Sequence, residues 1–128
     1  MQTTNMKPNK FAVSSQSSEP ASPVDLRFGR APYFRVVDCD TGQQTVVDNA
    51  AGVNAAQGAG LQAVQALANL DVQAVVTGHV GPKAWTALQA ANIKVYSVQG
   101  GTVEQAMKAF MAGELALIQG ADVPGHWR

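Results

Sequence analysis

Two short stretches hold most of the residues that could do chemistry. "SPVDLRFGRAPYF" (residues 22–34) sets Arg27 and Arg30 on either side of Phe28 and Gly29, in a loop punctuated by glycine and proline. "TGHVGPKAW" (residues 77–85) places Gly78, His79, Gly81 and Lys83 where an apolar run gives way to a helix start. Such a start presents unpaired backbone N–H groups and the positive end of the helix dipole, and so attracts anions; a tight turn without a ligand is the alternative. Gly58 and Gly60 in "QGAG" and Gly100 in "KVYSVQGG" add two more glycine turns. His79 has a ring nitrogen that a metal could use, although a single histidine in a turn serves equally as a hydrogen-bonding residue.

Other chemistries are poorly supported. "QGAGLQAVQ" lacks the third glycine of a dinucleotide fingerprint, and no GxxxxGK[ST] loop occurs. No two histidines stand four apart, and Cys39 is alone, which excludes an internal disulfide and a thiolate cage built from one chain. Within "YFRVVDCD", Cys39 reads as a small buried hydrophobe. Asp38, Asp40 and Asp48 flank a turn, where aspartate is favoured for backbone reasons. No nucleophile, base and orienting group form a hydrolase set, and the carboxylates do not make the convergent group a metal-dependent nuclease needs.

These residues need elements to position them. "FAVSSQ" (11–16) reads as a strand leading into a Ser/Pro loop. Residues 33–39 and 43–48 read as a hairpin turning at Asp40, Thr41, Gly42 and Gln43. Leu61, Val64, Leu67 and Ala68 recur at helical spacing, and "AVVTGHV" (74–80) is a buried type of strand. Pro82 opens a helix carrying Trp85, Leu88 and Ala91 on one side, and "KVYSVQGG" repeats the pattern of strand followed by glycine. Thr102 and Gln105 suit a capping box before the stripe Val103, Ala106, Met107, Phe110 and Met111, with Gly113 as the stop. The order predicts a three-layer α/β domain with a mixed five-stranded sheet and three main helices. Ligands then belong at the carboxyl ends of the parallel strands, where these glycines fall, and the arginine loop joins that edge if the first strand is parallel to the later ones.

Charge and composition narrow the function classes. Nine Lys and Arg balance nine Asp and Glu, so there is no basic field for nucleic acid. With 46% hydrophobic and 14% charged residues, 128 residues suffice for one core. No apolar run reaches the roughly 18 residues of a membrane span, and "MQTTNMKPNK" lacks a signal-type core. A soluble cytoplasmic protein is expected. Residues 1–10 read as a flexible lead-in, 11–117 as the domain, and 118–128, with His126 and Trp127, as a tail.

The combination of "RFGRAPYF", "TGHVGPKAW" and "GGTVEQAMKAF" over residues 11–117 resembles the dinitrogenase iron-molybdenum-cofactor biosynthesis family. The resemblance implies a ribonuclease H-like domain that binds or carries a preassembled metal–sulfur cluster without catalysing a reaction. The implied cargo is a molybdenum–copper sulfide cluster, as in the orange-protein branch of sulfate reducers. The alternative is the iron-molybdenum cofactor or a precursor, as in the nitrogenase branch. Protein partners in a complex are compatible with such a role. Nitrogenase-branch members generally carry histidine before "FG", a candidate cluster ligand, where this chain has Arg27. Arginine stays protonated and is a poor metal ligand, but its planar fork of donors suits an anion. Arg27, Arg30 and Lys83, the backbone at Gly29, Gly58, Gly60, Gly78, Gly81 and Gly100, and His79 would then line a cleft that holds the cluster by charge and hydrogen bonds. Phe28 and Tyr33 would be either its apolar walls or core residues. A protein-interaction module, or a small-anion or nucleotide site without a cluster, is the competing reading.

Overall fold

A computed structural model of the chain describes residues 9–50 and 59–118. The expectations for Gly58, for most of the N-terminal segment and for His126 and Trp127 lie outside these residues. Six strands form one sheet: β1 (Lys10–Ser15), β2 (Tyr33–Asp38), β3 (Gln44–Asp48), β4 (Ala74–Thr77), β5 (Lys94–Ser97) and β6 (Ala116–Leu117). Their order is β3-β2-β1-β4-β5-β6. β1 is parallel to β4, and β4 to β5, while β2, β3 and β6 run antiparallel to their neighbours. Three helices are described, α1 (Ala59–Asn69), α2 (Pro82–Ala90) and α3 (Val103–Met111), with a short 3₁₀ turn at Phe28–Arg30.

Strand alternation assigns the layers, because successive side chains point to opposite faces. Ala12, Phe34, Val36, Val75 and Val95 face a core shared with Ala63, Val64 and Leu67 of α1 and with Ala84 and Leu88 of α2. Phe11, Val13, Val37, Ala74 and Val76 face the other way, toward Val103 and Ala106 of α3. The central strands are thus covered on both sides, which is why "FAV" and "AVV" read as continuous apolar runs. Phe110 fastens α3 to the sheet, its ring centroid 4.2 Å from Phe11 and 5.0 Å from Tyr96.

The capping box forms, with Thr102 Oγ1 accepting from Gln105 N and Gln105 Oε1 accepting from Thr102 N. Gly42 and Gly113 take the left-handed backbone their turns require, at φ 78° and 75°.

Five expectations change. The sheet has six strands, because Ala116 and Leu117 pair with Ser97 and Tyr96; two residues are too few to show a period. The inward face of α1 is Ala63, Val64 and Leu67, while Leu61 and Ala68 are exposed. On α2, Ala84 and Leu88 are buried and Ala91 is exposed; on α3, Met111 is exposed. Cys39 is not a buried strand residue. It stands just past β2, half-buried, with its amide donating to Asn9 O and its Sγ 3.9 Å from Met111 Sδ. That is the edge of the sheet at which β1 begins, opposite the arginine loop.

Candidate functional site

The chain leaving β1 folds back on itself before it reaches Arg27. Ser15 bridges to Val24, and Asp25 N donates to Ser14 O. Ser14 Oγ donates to the Asp25 carbonyl at 2.6 Å and shares a hydrogen bond with Thr77 Oγ1 at 2.8 Å. Both hydroxyls are fully buried, and each satisfies the other as it ties the loop to the end of β4.

Beyond this knot the loop runs alongside the turn after β4. His79 N donates to Leu26 O at 2.7 Å, Phe28 N donates to His79 O at 3.1 Å, and Arg27 and His79 form a parallel bridge. Gly78 permits the approach. A Cβ there would lie 2.7 Å from Leu26 Cβ and 2.8 Å from Leu26 O, inside the range real contacts occupy. On the other side, Val24 N donates to Gly101 O and Val103 N to Ser22 O, joining the loop to the start of α3. The loops after β1, β4 and β5 therefore form one continuous rim at the carboxyl ends of the parallel strands.

Asp25 is the residue the sequence reading missed. Its side chain is 2% exposed, and Oδ1 accepts from Arg27 N at 2.9 Å and from Arg27 Nε at 3.2 Å, while Oδ2 accepts from Arg27 Nη2 at 3.0 Å. The guanidinium is held by a two-pronged ion pair, with the Arg27 side chain 66% exposed. The hydrogen bond to Asp25, and then its charge, raise the pKa of Arg27 above the ordinary arginine value. The signal was the spacing Asp-x-Arg, in which an aspartate bonds the backbone two residues on. Asn49 was missed as well. It is buried, and its Nδ2 donates to Ala31 O at 2.8 Å and to Gly29 O at 3.3 Å, fixing the far side of the arginine loop.

The other expected site residues divide. Arg30 is exposed on the 3₁₀ turn, and Lys83 is exposed in the first turn of α2, whose first residue is Pro82. His79 is exposed on the rim, Gly81 is the N-cap of α2, and Gly100 stands exposed in the loop after β5. Gly60 is a packing residue: a Cβ there would come 2.6 Å from Ala84 Cβ, where α1 crosses α2. Phe28 belongs to the core, 1% exposed, with its ring 5.5 Å from that of Phe34. Tyr33 is half-buried at the start of β2. Among the described residues, no three His, Cys, Asp or Glu side chains converge as a metal-binding group. Guanidinium, ammonium and backbone N–H donors are the chemistry of anion binding.

Strand order and mixed pairing, with helices packed on both faces of the sheet, define a ribonuclease H-like α/β domain. The chain belongs to the dinitrogenase iron-molybdenum cofactor family, whose model matches residues 9–113. The orange protein of Desulfovibrio gigas, solved in its apo form, is 41% identical; it superposes with a TM-score of 0.86 over 90% of this chain and 97% of that one. A Thermotoga protein described as NifB-like is 35% identical, with a TM-score of 0.81 over 91% of this chain and 98% of that one. An uncharacterised Methanocaldococcus jannaschii protein is 29% identical over 91 residues, which cover 69% of this chain and 76% of that protein. No helix among the described residues is long and apolar enough to cross a membrane.

Proposed function

We propose that the protein is a non-catalytic carrier for a preassembled anionic metal-sulfide cluster. A molybdenum–copper sulfide is the first candidate cargo, and an iron-molybdenum cofactor or precursor the second. The observation that supports this most is the pairing of residues 26–28 with His79, which gathers the arginine loop and the turn before α2 on one rim. A thiometallate cluster is large, soft and multiply negative, so a surface of cations and N–H donors can hold it without coordinating it. Family membership and the likeness to the orange protein favour the same reading.

The test is a visible-absorption titration of apo protein with tetrathiomolybdate and copper(I), at low and high ionic strength. The parent should load saturably and less tightly in salt. Arg27→Gln/Arg30→Gln should load about tenfold more weakly, since two charge-assisted donors are lost. No saturable loading by the parent, or unchanged loading by the folded double variant, would reject the reading.

A further inference from the structure

A buried carboxylate is an odd companion for an anion site, and the structure puts Asp25 directly behind Arg27. Three hydrogen bonds bind them, at 2.9, 3.2 and 3.0 Å, and their opposite charges cancel, yet the Arg27 side chain is 66% exposed and two of its five guanidinium N–H donors suffice for Asp25, which leaves donors for solvent or ligand. Such a group donates with fixed direction but attracts anions weakly at a distance. Small oxyanions such as sulfate hold their water strongly, and giving it up must be offset by net positive charge. A soft sulfide anion spreads its charge over large, weakly hydrated sulfur atoms and needs less.

We propose that Asp25 sets the selectivity of the rim: by cancelling the charge of Arg27 it handicaps small, strongly hydrated oxyanions relative to sulfide anions. The inference rests on the carrier reading and adds to it a residue whose role is specificity. Asp25 touches no ligand in this account; it acts through Arg27.

A charge cycle tests it, with tetrathiomolybdate as probe and sulfate as competitor. Asp25→Asn retains an oxygen for the Arg27 amide but uncovers one positive charge, and Arg27→Gln uncovers one negative charge. Asp25→Asn should therefore load about threefold more tightly at low ionic strength and lose that gain in salt, as expected for one unscreened charge near the surface. Sulfate should displace the probe from it at about tenfold lower concentration than from the parent, since the charge also offsets oxyanion dehydration. Arg27→Gln should load more weakly, and Asp25→Asn/Arg27→Gln should recover part of that loss, loading between Arg27→Gln and the parent because the uncovered charge is gone but the donor is still missing. A merely structural role predicts weaker loading by both single variants and no change in sulfate competition; either result, in variants that melt cooperatively, overturns the proposal. If Asp25→Asn does not fold, Asp25→Asn/Arg27→Gln must still load more tightly than Arg27→Gln, and equal loading overturns the proposal. A parent that loads nothing rejects the carrier reading, and this inference with it, whereas a parent that loads beside a cycle of the wrong signs rejects the inference alone.

Discussion

Replacing Gly78 by alanine is the sharpest structural test of the rim. The added Cβ would stand 2.7 to 2.9 Å from Leu26 Cβ, O and Cα, and ordinary contact begins at 3.4 Å. Two of the three obstructing atoms are backbone, so no side-chain rotation relieves the clash. The two chain segments must separate by about 0.7 Å, the difference between 3.4 and 2.7 Å. They are joined by the bonds His79 N to Leu26 O at 2.7 Å and Phe28 N to His79 O at 3.1 Å. Stretched by that amount, the longer bond leaves hydrogen-bonding range and the shorter one weakens, at about 0.5–1.5 kcal/mol each. Overpacking adds about 1–3 kcal/mol, for a total of about 2–6 kcal/mol. At roughly 4 °C per kcal/mol for a domain of this size, the melting temperature should fall by about 8–24 °C. Gly81→Ser is the matched control, because nothing lies within 4 Å of a Cβ there, φ is −71° and serine is a good N-cap. It should change stability by no more than about 0.5 kcal/mol. Urea denaturation of the three proteins measures the difference. A Gly78→Ala variant within about 0.5 kcal/mol of the parent would refute the close approach.

Two further outcomes follow from named contacts. Cys39→Ser should load tetrathiomolybdate and copper(I) as the parent does, because Cys39 stands past the end of β2, about 16 Å along the strand from the arginine-loop edge; lost loading would make the thiol a ligand. Thr102→Ala removes the acceptor of Gln105 N at 3.2 Å and should cost about 0.5–2 kcal/mol in urea denaturation, and an unchanged midpoint would mean the cap contributes nothing.

Local signals were legible wherever residue chemistry decides structure without help. Thr102 with Gln105, Pro82 at a helix start and the Gly42 turn each follow from backbone donors or φ preferences, and the structure has all three. Glycines were harder to interpret. Gly78 and Gly60 look alike in sequence, but one admits the arginine loop and the other admits a neighbouring helix; the choice depends on what lies across from them. Phe28 stood open between wall and core for the same reason, and packing against Phe34 decides it. Cys39 was misjudged because apolar neighbours say nothing about where a strand ends. Asp25 had a readable local motif, but its burial, and hence its hold on Arg27, comes from the fold around it.

The knot at the base of the rim also constrains synthesis. Ser14 meets Thr77 across 63 positions of sequence, and Val24 bonds Gly101. Contacts of such long range close late, because a long loop must be ordered before they repay its entropy. A chain emerging from the ribosome can complete its first hairpin early, and Ser14, Phe34 and Asn49 already touch the arginine loop, but its bonds to His79 and Gly101 wait until β4 lies beside β1 and the start of α3 has followed. Any anion receptor that needs the whole rim is therefore incomplete in a nascent chain that stops short of Val103.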